Sequence, residues 1–395
     1  MKPIPYGRQS ITHKDIEAVV ETLNSDFLTQ GPKIKEFEIL FAEYIGSKYA
    51  IAVSNGTAAL HLSALALDIK HGDKIITTPI TFAASANCIR YCGGEVVFVD
   101  INSESKLIDL EKVKSLLKSS PPNTFKGIIP VDFAGYPVNT EELRKIALDY
   151  NLWILEDACH SPGGYFEDSN RKIQNCGNGI YADLSIFSFH PVKHIATGEG
   201  GMITTNDEKL YKKILKLRTH GITNLQGEFI NSIITATGGV VSDSYPGWYM
   251  EMQDLGFNYR ITDFQAALGI SQLERADQNL IRRNEIAKRY YDAFQAKKYI
   301  KKINRVIPGH AYHLYIIEVE DRLGLYNYLR ENKILAQIHY FPTHLMPYYQ
   351  KFGWKYGDMP EAEKYYANCL SLPMFPTLTE EEQEYVIDKI NSYYE

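Results

Sequence analysis

The sequence predicts an α/β protein with a mostly parallel sheet covered by helices, followed by a smaller C-terminal α+β domain. Three observations lead there. Short apolar runs alternate with helical segments from Tyr49 to Leu217, at the spacing of β-α units. Polar or glycine-bearing turns follow several of those runs, as strand-to-helix connections require. The alternation gives way near Gly256 to long helices with few strands, which divides the chain into a large domain, 1–255, and a smaller one, 256–395. A length of 395 residues leaves room for both, and 45% hydrophobic with 23% charged residues is a globular composition.

Taken in order, Ile11 to Leu23 reads as an amphipathic helix opening after Thr12, with Asp15 in its first turn, and Lys33 to Ile45 as a second helix ending at Gly46. Tyr49 to Val53 is a strand, Ser54 to Thr57 a polar turn, and the alanine- and leucine-rich stretch through Leu67 a helix. Strands are expected at Lys74–Thr77, Val96–Asp100, Gly127–Val131 and Leu152–Leu155, with helices at Phe82–Tyr91 and Thr140–Tyr150 between them. Leu184 to Phe189 is a buried strand that Pro191 stops from continuing as a ladder. Strand Gly201–Thr205 and helix Asp207–Leu217 follow, and Gly221 to Met250, rich in Gly, Ser, Asn and Thr, is a long loop. The second domain holds helices Ile261–Arg275 and Asn279–Gln295, strand Leu314–Val319, helix Arg322–Asn332, strand Leu335–Ile338 and two closing helices. The last of these opens on a capping box, Thr379 and Glu382.

Composition excludes several function classes. The N-terminus has no apolar signal region and no run approaches the roughly 18 apolar residues of a membrane helix, so a cytoplasmic protein without membrane contact is expected. A net charge of -6 with acids and bases interspersed argues against nucleic acid. The five cysteines are scattered without CxxC pairs and read as reduced thiols. No metal is expected: Cys88 and Cys92 read as small buried hydrophobes, and His190 and His194 straddle Pro191 on a turn. Walker and dinucleotide glycine patterns are both missing, which argues against a nicotinamide-dependent dehydrogenase.

The chemistry-bearing stretch is Leu184 to Gly201. Between Asp183 and Glu199, Lys193 is the one formally charged side chain, just past a buried strand. A surface lysine snorkelling out of a strand end fits this stretch, and so does a desolvated amine of lowered pKa that forms a Schiff base with an aldehyde or ketone. Three other residues fall past strand ends, where open parallel sheets bind ligands: Thr57, Phe82 and Asp157. Lysine, carboxylate, aromatic ring and phosphate-binding turn are together the parts pyridoxal phosphate needs. Lys193 would hold the aldehyde and relay a proton. Asp157 would keep the pyridine nitrogen protonated, and Phe82 would stack on the ring. Gly56, Thr57, Ala58 and Ser188 would carry the phosphate.

The runs GTAALHLSALAL, ITTPITF, VVFVDI, LEDACHSPGG, FSFHPVKHIATGEGGMITTND, RTHGI and DLGFNYRITDFQAALG resemble the DegT/DnrJ/EryC1/StrS family of nucleotide-sugar aminotransferases over almost the whole chain. The resemblance implies a fold type I homodimer with pyridoxal phosphate, L-glutamate as amino donor and a keto sugar on a nucleotide as acceptor. It makes Lys193 the Schiff-base lysine, Asp157 the pyridine partner, Ser188 a phosphate ligand and His160 a residue beside the ring. Asn258 resembles the asparagine that reaches the phosphate of the other subunit, so the two active sites would be shared. Family dehydratases carry histidine in place of the lysine; Lys193 favours transamination. FLTQGP, GWYMEMQDLGFNYR and ILAQIHYFP resemble the branch that aminates the C4 ketone of a UDP-linked 4-keto-6-deoxy-N-acetyl hexosamine, toward pseudaminic acid. Tyr6, Gln30, Gln337, His339 and Tyr340 are expected at the sugar or nucleotide. The alternatives are another keto position or a dTDP or GDP sugar and, in a different class, a non-catalytic regulator that keeps the fold.

Overall fold

The computed structural model describes residues 2–303 and 305–395. Its centre is a seven-stranded sheet built from β1 (Tyr49–Val53), β2 (Lys74–Thr77), β3 (Glu95–Phe98), β4 (Phe125–Ile129), β5 (Trp153–Asp157), β6 (Leu184–Ser188) and β7 (Gly201–Thr205). The spatial order is β1-β7-β6-β5-β4-β2-β3. All strands run the same way except β7, which lies antiparallel to both β1 and β6. The near-continuous burial of β1, β5 and β6 is that of strands covered on both faces.

Covering helices bury apolar stripes on this sheet. Gly56–Ala66 presents Leu60, Leu62 and Ala64 to the same core as Ile186 and Ile203. Pro32–Ile45 packs Phe37 and Phe41 against Phe187 and Phe189 on the other face. Thr12 caps the helix His13–Leu23 through a full capping box with Asp15, whose buried carboxylate also takes Arg275. That contact crosses the expected 255/256 division. The helix Asp263–Leu273 packs on the helices His13–Leu23 and Pro32–Ile45, and Ile4–Pro5 pairs in parallel with Ile334–Leu335.

The smaller unit has an antiparallel sheet of Ile300–Ile303, Tyr315–Val319 and Cys369–Leu372. Helices Ala276–Phe294, Arg322–Glu331 and Glu380–Tyr394 pack on it around Tyr290, Phe294, Leu325 and Ile390. Two ties lock it to the large sheet. The Asp100 carboxylate accepts from the Glu361 and Ala362 amides (3.0 and 2.9 Å) at the start of helix Pro360–Asn368, and Lys106 pairs with Glu318 at 2.6 Å. The segment expected as a loop from Gly221 to Met250 carries Ile222–Thr223, paired with Glu251–Met252, and a short helix, Ile233–Ala236. No helix among the described residues is long and apolar enough to cross a membrane.

Candidate active site

The carboxyl ends of β1, β5 and β6 open into one cavity of about 770 Å³. That volume suits a cofactor together with a substrate. Gly56, Thr57, Ala58, Phe82, Asp157, His160, Ser188, Lys193, Tyr6, His339 and Tyr340 all line it, so most of the residues singled out by sequence meet there.

One wall is the turn after β1. Asn55 caps the helix Gly56–Ala66 by accepting from the Ala58 amide at 2.8 Å, which commits that amide to the cap. The Gly56 and Thr57 amides have no partner among the described residues and sit at the positive helix end, where an anion is stabilised. Ser188, the last residue of β6, stands opposite: a Cβ on Gly56 would lie 3.0 Å from Ser188 Cβ. Beneath the turn, a Cβ on Gly201 would fall 2.6 Å from the Asn55 carbonyl, so β7 can pass under it only with glycine there. Two free amides, the Thr57 and Ser188 hydroxyls and a helix end make a cradle that fits a phosphate.

The turn His190 to Lys193, closed by a 2.8 Å backbone hydrogen bond, carries Lys193 into the cavity. Its side chain is part-exposed toward that space, and its ammonium has no hydrogen bond or ion pair among the described residues. Loss of water lowers its pKa; Cys159 and Asp157 push the other way. The amine therefore gives up its proton more readily than a surface lysine, as attack on an aldehyde requires.

Asp157 ends β5 and is buried. Its Oδ2 accepts from Ser85 Oγ at 2.6 Å and its Oδ1 from the Cys159 amide at 3.2 Å. His160 is buried as well. Its Nδ1 accepts from the Ala134 amide at 3.2 Å, which places the hydrogen of the neutral ring on Nε2, 3.4 Å from Tyr340 Oη. Burial, then the neighbouring Lys193, hold His160 well below the usual histidine pKa. His313 stacks on it at 4.2 Å and is held down by burial, then by His160 itself, and burial lowers His339 to about 3. These imidazoles are uncharged at neutral pH. Phe82 keeps 63% of its surface exposed, with its ring at the cavity and 6.3 Å from that of Tyr340.

Three expected residues do not reach the cavity of their own chain. Gln30 lines a separate cleft with Lys35, Arg218 and Arg260. Gln337 turns its Oε1 back to accept from the Ile338 amide at 3.0 Å while its backbone pairs with Ser371. Asn258 is exposed and pairs with Thr219, although its neighbour Tyr259 does line the cavity. Sequence reasoning missed Ser85, Thr81, Cys159 and His313. For Thr81 and Ser85 a signal exists, since they lie four apart beside Phe82 at a helix start. His313 comes from the smaller unit and has none.

Residues 9–391 match the DegT/DnrJ/EryC1/StrS aminotransferase family. The chain belongs to that family. It is 35% identical to the UDP-4-amino-4,6-dideoxy-N-acetyl-beta-L-altrosamine transaminase of Campylobacter jejuni, over 99% of this chain and 98% of that one. It is 33% identical to the GDP-perosamine synthase of Escherichia coli O157:H7, over 100% and 99%. Among solved structures it resembles the Helicobacter pylori aminotransferase PseC, involved in the biosynthesis of pseudaminic acid, with a TM-score of 0.86, 30% identity and 99% of each chain covered. This DegT-family protein is a sugar aminotransferase that depends on pyridoxal phosphate. The cradle and the unpaired lysine fit that cofactor.

Proposed function

We propose that this aminotransferase moves the amino group of L-glutamate to the C4 ketone of a UDP-linked 4-keto-6-deoxy-N-acetyl hexosamine, by a ping-pong mechanism. The observation that carries the choice of sugar is the 35% identity, end to end, with the altrosamine transaminase. The likeness to PseC supports it. A GDP sugar is the second reading, favoured by the identity to GDP-perosamine synthase.

Each side chain then has a task. Bound at this site, pyridoxal phosphate supplies a conjugated sink for the electrons of a breaking C–H bond. Lys193 would hold the cofactor through its aldehyde and, with its amine free, would serve as the base that takes the proton from the amino-acid carbon. Asp157 would pair with the ring nitrogen and favour its protonated form. Thr57, Ser188 and the Gly56 and Thr57 amides would hold the phosphate, and Phe82 would cover one ring face. His160, neutral with its hydrogen on Nε2, sits beside the ring as a donor. Tyr6, His339 and Tyr340 form the wall that meets the sugar. Asn258, exposed and outside the lining of its own cavity, completes the cradle of a second copy, which makes the active unit a homodimer.

The test is a panel of UDP-, dTDP- and GDP-linked 3-keto and 4-keto sugars with L-glutamate, following 2-oxoglutarate and identifying products by mass and NMR. Turnover highest with the UDP-4-keto-N-acetyl sugar supports the proposal, and preference for a GDP or dTDP sugar overturns it. No turnover with any member, by a protein that binds the cofactor, would favour a non-catalytic regulator.

A further inference from the structure

Asp157 is gripped from behind by a side chain to which the roles above give no task. Ser85 is fully buried in the helix Ala84–Tyr91. Its Oγ lies 2.6 Å from Asp157 Oδ2, 2.7 Å from Thr81 Oγ1 and 3.4 Å from the Phe82 carbonyl. Donor counting fixes the direction of this chain. An ionised carboxylate can only accept, and Ser85 has one hydroxyl hydrogen, so Ser85 donates to Asp157. With that hydrogen spent, the Thr81 hydroxyl, itself buried, must donate to Ser85 Oγ. Thr81 and Ser85 thus form a one-way relay of dipoles ending on Asp157. The Cys159 amide holds the other oxygen at 3.2 Å.

We propose that Ser85, oriented by Thr81, is a positioning residue that fixes the Asp157 carboxylate in one rotamer against the ring nitrogen of bound pyridoxal phosphate. The inference rests on Asp157 being the pyridine partner. A separation of 2.6 Å is that of a charge-assisted O–H···O⁻ bond, the strong class of hydrogen bond. No salt bridge reaches Asp157 among the described residues; besides the nearby Lys193 amine, this hydroxyl and one amide are what stabilise its charge in a buried place. Without Ser85, the Oδ2 atom loses its donor and the carboxylate is free to rotate toward the open cavity. That rotation weakens its hold on a protonated ring nitrogen.

The experiment is a double-mutant cycle on the full-length protein. Ser85→Ala, Asp157→Asn and the double variant are stripped of cofactor and titrated with pyridoxal phosphate. The readouts are Kd and the pH midpoint of the bound cofactor's visible absorption. Ser85→Ala is expected to raise Kd roughly tenfold, the size of one hydrogen bond to a charged group, and to move the midpoint. In the Asp157→Asn background the same change should shift Kd by less than about twofold, because there is no longer a carboxylate to position. Ser85→Cys, nearly isosteric and a weak donor, should show a smaller loss of the same kind and stands in if the alanine variant does not fold. Additive effects would mean that Ser85 acts on the cofactor without Asp157, and an unchanged Kd and midpoint in both Ser85 variants would mean that it does not act at all; either overturns the proposal. If Asp157→Asn alone alters neither readout, the assignment of Asp157 fails, and the role of Ser85 with it.

Discussion

Beside Asp157, two buried carboxyl groups crowd each other, and they should weaken the fold as pH rises above about 4. Asp132 and Glu156 are buried, and their oxygens and the Cys176 thiol lie within 4.8 Å of one another. Ser161 Oγ and the Val138 amide donate to Asp132 (2.6 and 2.8 Å); Ser185 Oγ and the Gly177 amide donate to Glu156 (2.7 and 3.0 Å). No Lys or Arg pairs with either among the described residues. Burial pushes Asp132 up to about 6, and burial together with the neighbouring Asp132 raises Glu156 well above the usual carboxylate range. The unfolded chain releases both protons near pH 4. A raised folded pKa stabilises the protein fully below the unfolded value, and that contribution is lost as pH rises through the folded one. For Asp132 the window runs from about pH 4 to about 6, a span worth on the order of 3 kcal/mol at 1.36 kcal/mol per unit. Glu156 extends the loss above that. Glu156→Gln removes the second charge while its carbonyl oxygen can accept both donors and its amide can donate to Asp132. The variant should gain about 1–3 kcal/mol over wild type at pH 8, a rise of a few degrees in Tm, and much less at pH 4. Thermal unfolding of both proteins at pH 4, 6 and 8 reads the difference directly. A variant equally destabilised at all three values would show that the pair holds no shared proton at neutral pH, and would refute the reasoning.

Gly201→Ala should drive a methyl against the Asn55 carbonyl and lift the turn after β1. The expected cost is about 1–3 kcal/mol of stability and a measurable loss of affinity for pyridoxal phosphate, read by calorimetry and cofactor titration. Lys193→Ala should abolish transamination and the covalent label that borohydride fixes in the wild-type protein. A surface control such as Lys118→Ala should retain both, and a label persisting in Lys193→Ala would move the reactive amine elsewhere. Asn258→Ala should release cofactor more readily, and mixing it with Lys193→Ala subunits should restore part of the activity if sites are completed between copies. Mixtures with no more activity than either parent would assign each site to one chain.

Much of this fold is readable from apolar spacing, because β1, β5 and β6 are buried on both faces and helices such as Pro32–Ile45 and Glu380–Tyr394 announce their ends with glycine or a capping box. The strand expected to stop at Leu155 runs on through Glu156 and Asp157, since Ser185 and Ser85 supply the donors that let those acids lie in a core. Such cross-strand donors cannot be paired from one sequence. The direction of β7 is equally hidden, because a buried five-residue strand reads the same in either orientation. The helix Leu110–Ser119 falls outside the expected set although its signal is local: Asp109 caps it, and Val113 and Leu117 share one buried face. Lys193 was legible for the opposite reason, as a lone charge among apolar neighbours. His313 and Tyr259 reach the site only through packing of distant segments.

The electrostatics of the cavity favour the proposed dimer. A phosphate brings close to two negative charges. Among the residues lining this cavity, Lys193 is the sole lysine or arginine, and in the proposed mechanism its nitrogen is committed to the aldehyde and the proton. Burial keeps His160, His313 and His339 neutral, so they offer no compensation. What remains is two amides, two hydroxyls and a helix end worth about half a charge. Neutral donors can balance a phosphate only when enough of them converge on it. The Ala58 amide, which would have added one, is already spent on Asn55. In the proposed dimer a further donor would come from the second copy, and Asn258, exposed and next to the cavity-lining Tyr259, is the residue proposed to supply it. On this reading dimerisation is a requirement of phosphate binding, and dissociating conditions should release cofactor before they unfold the chain.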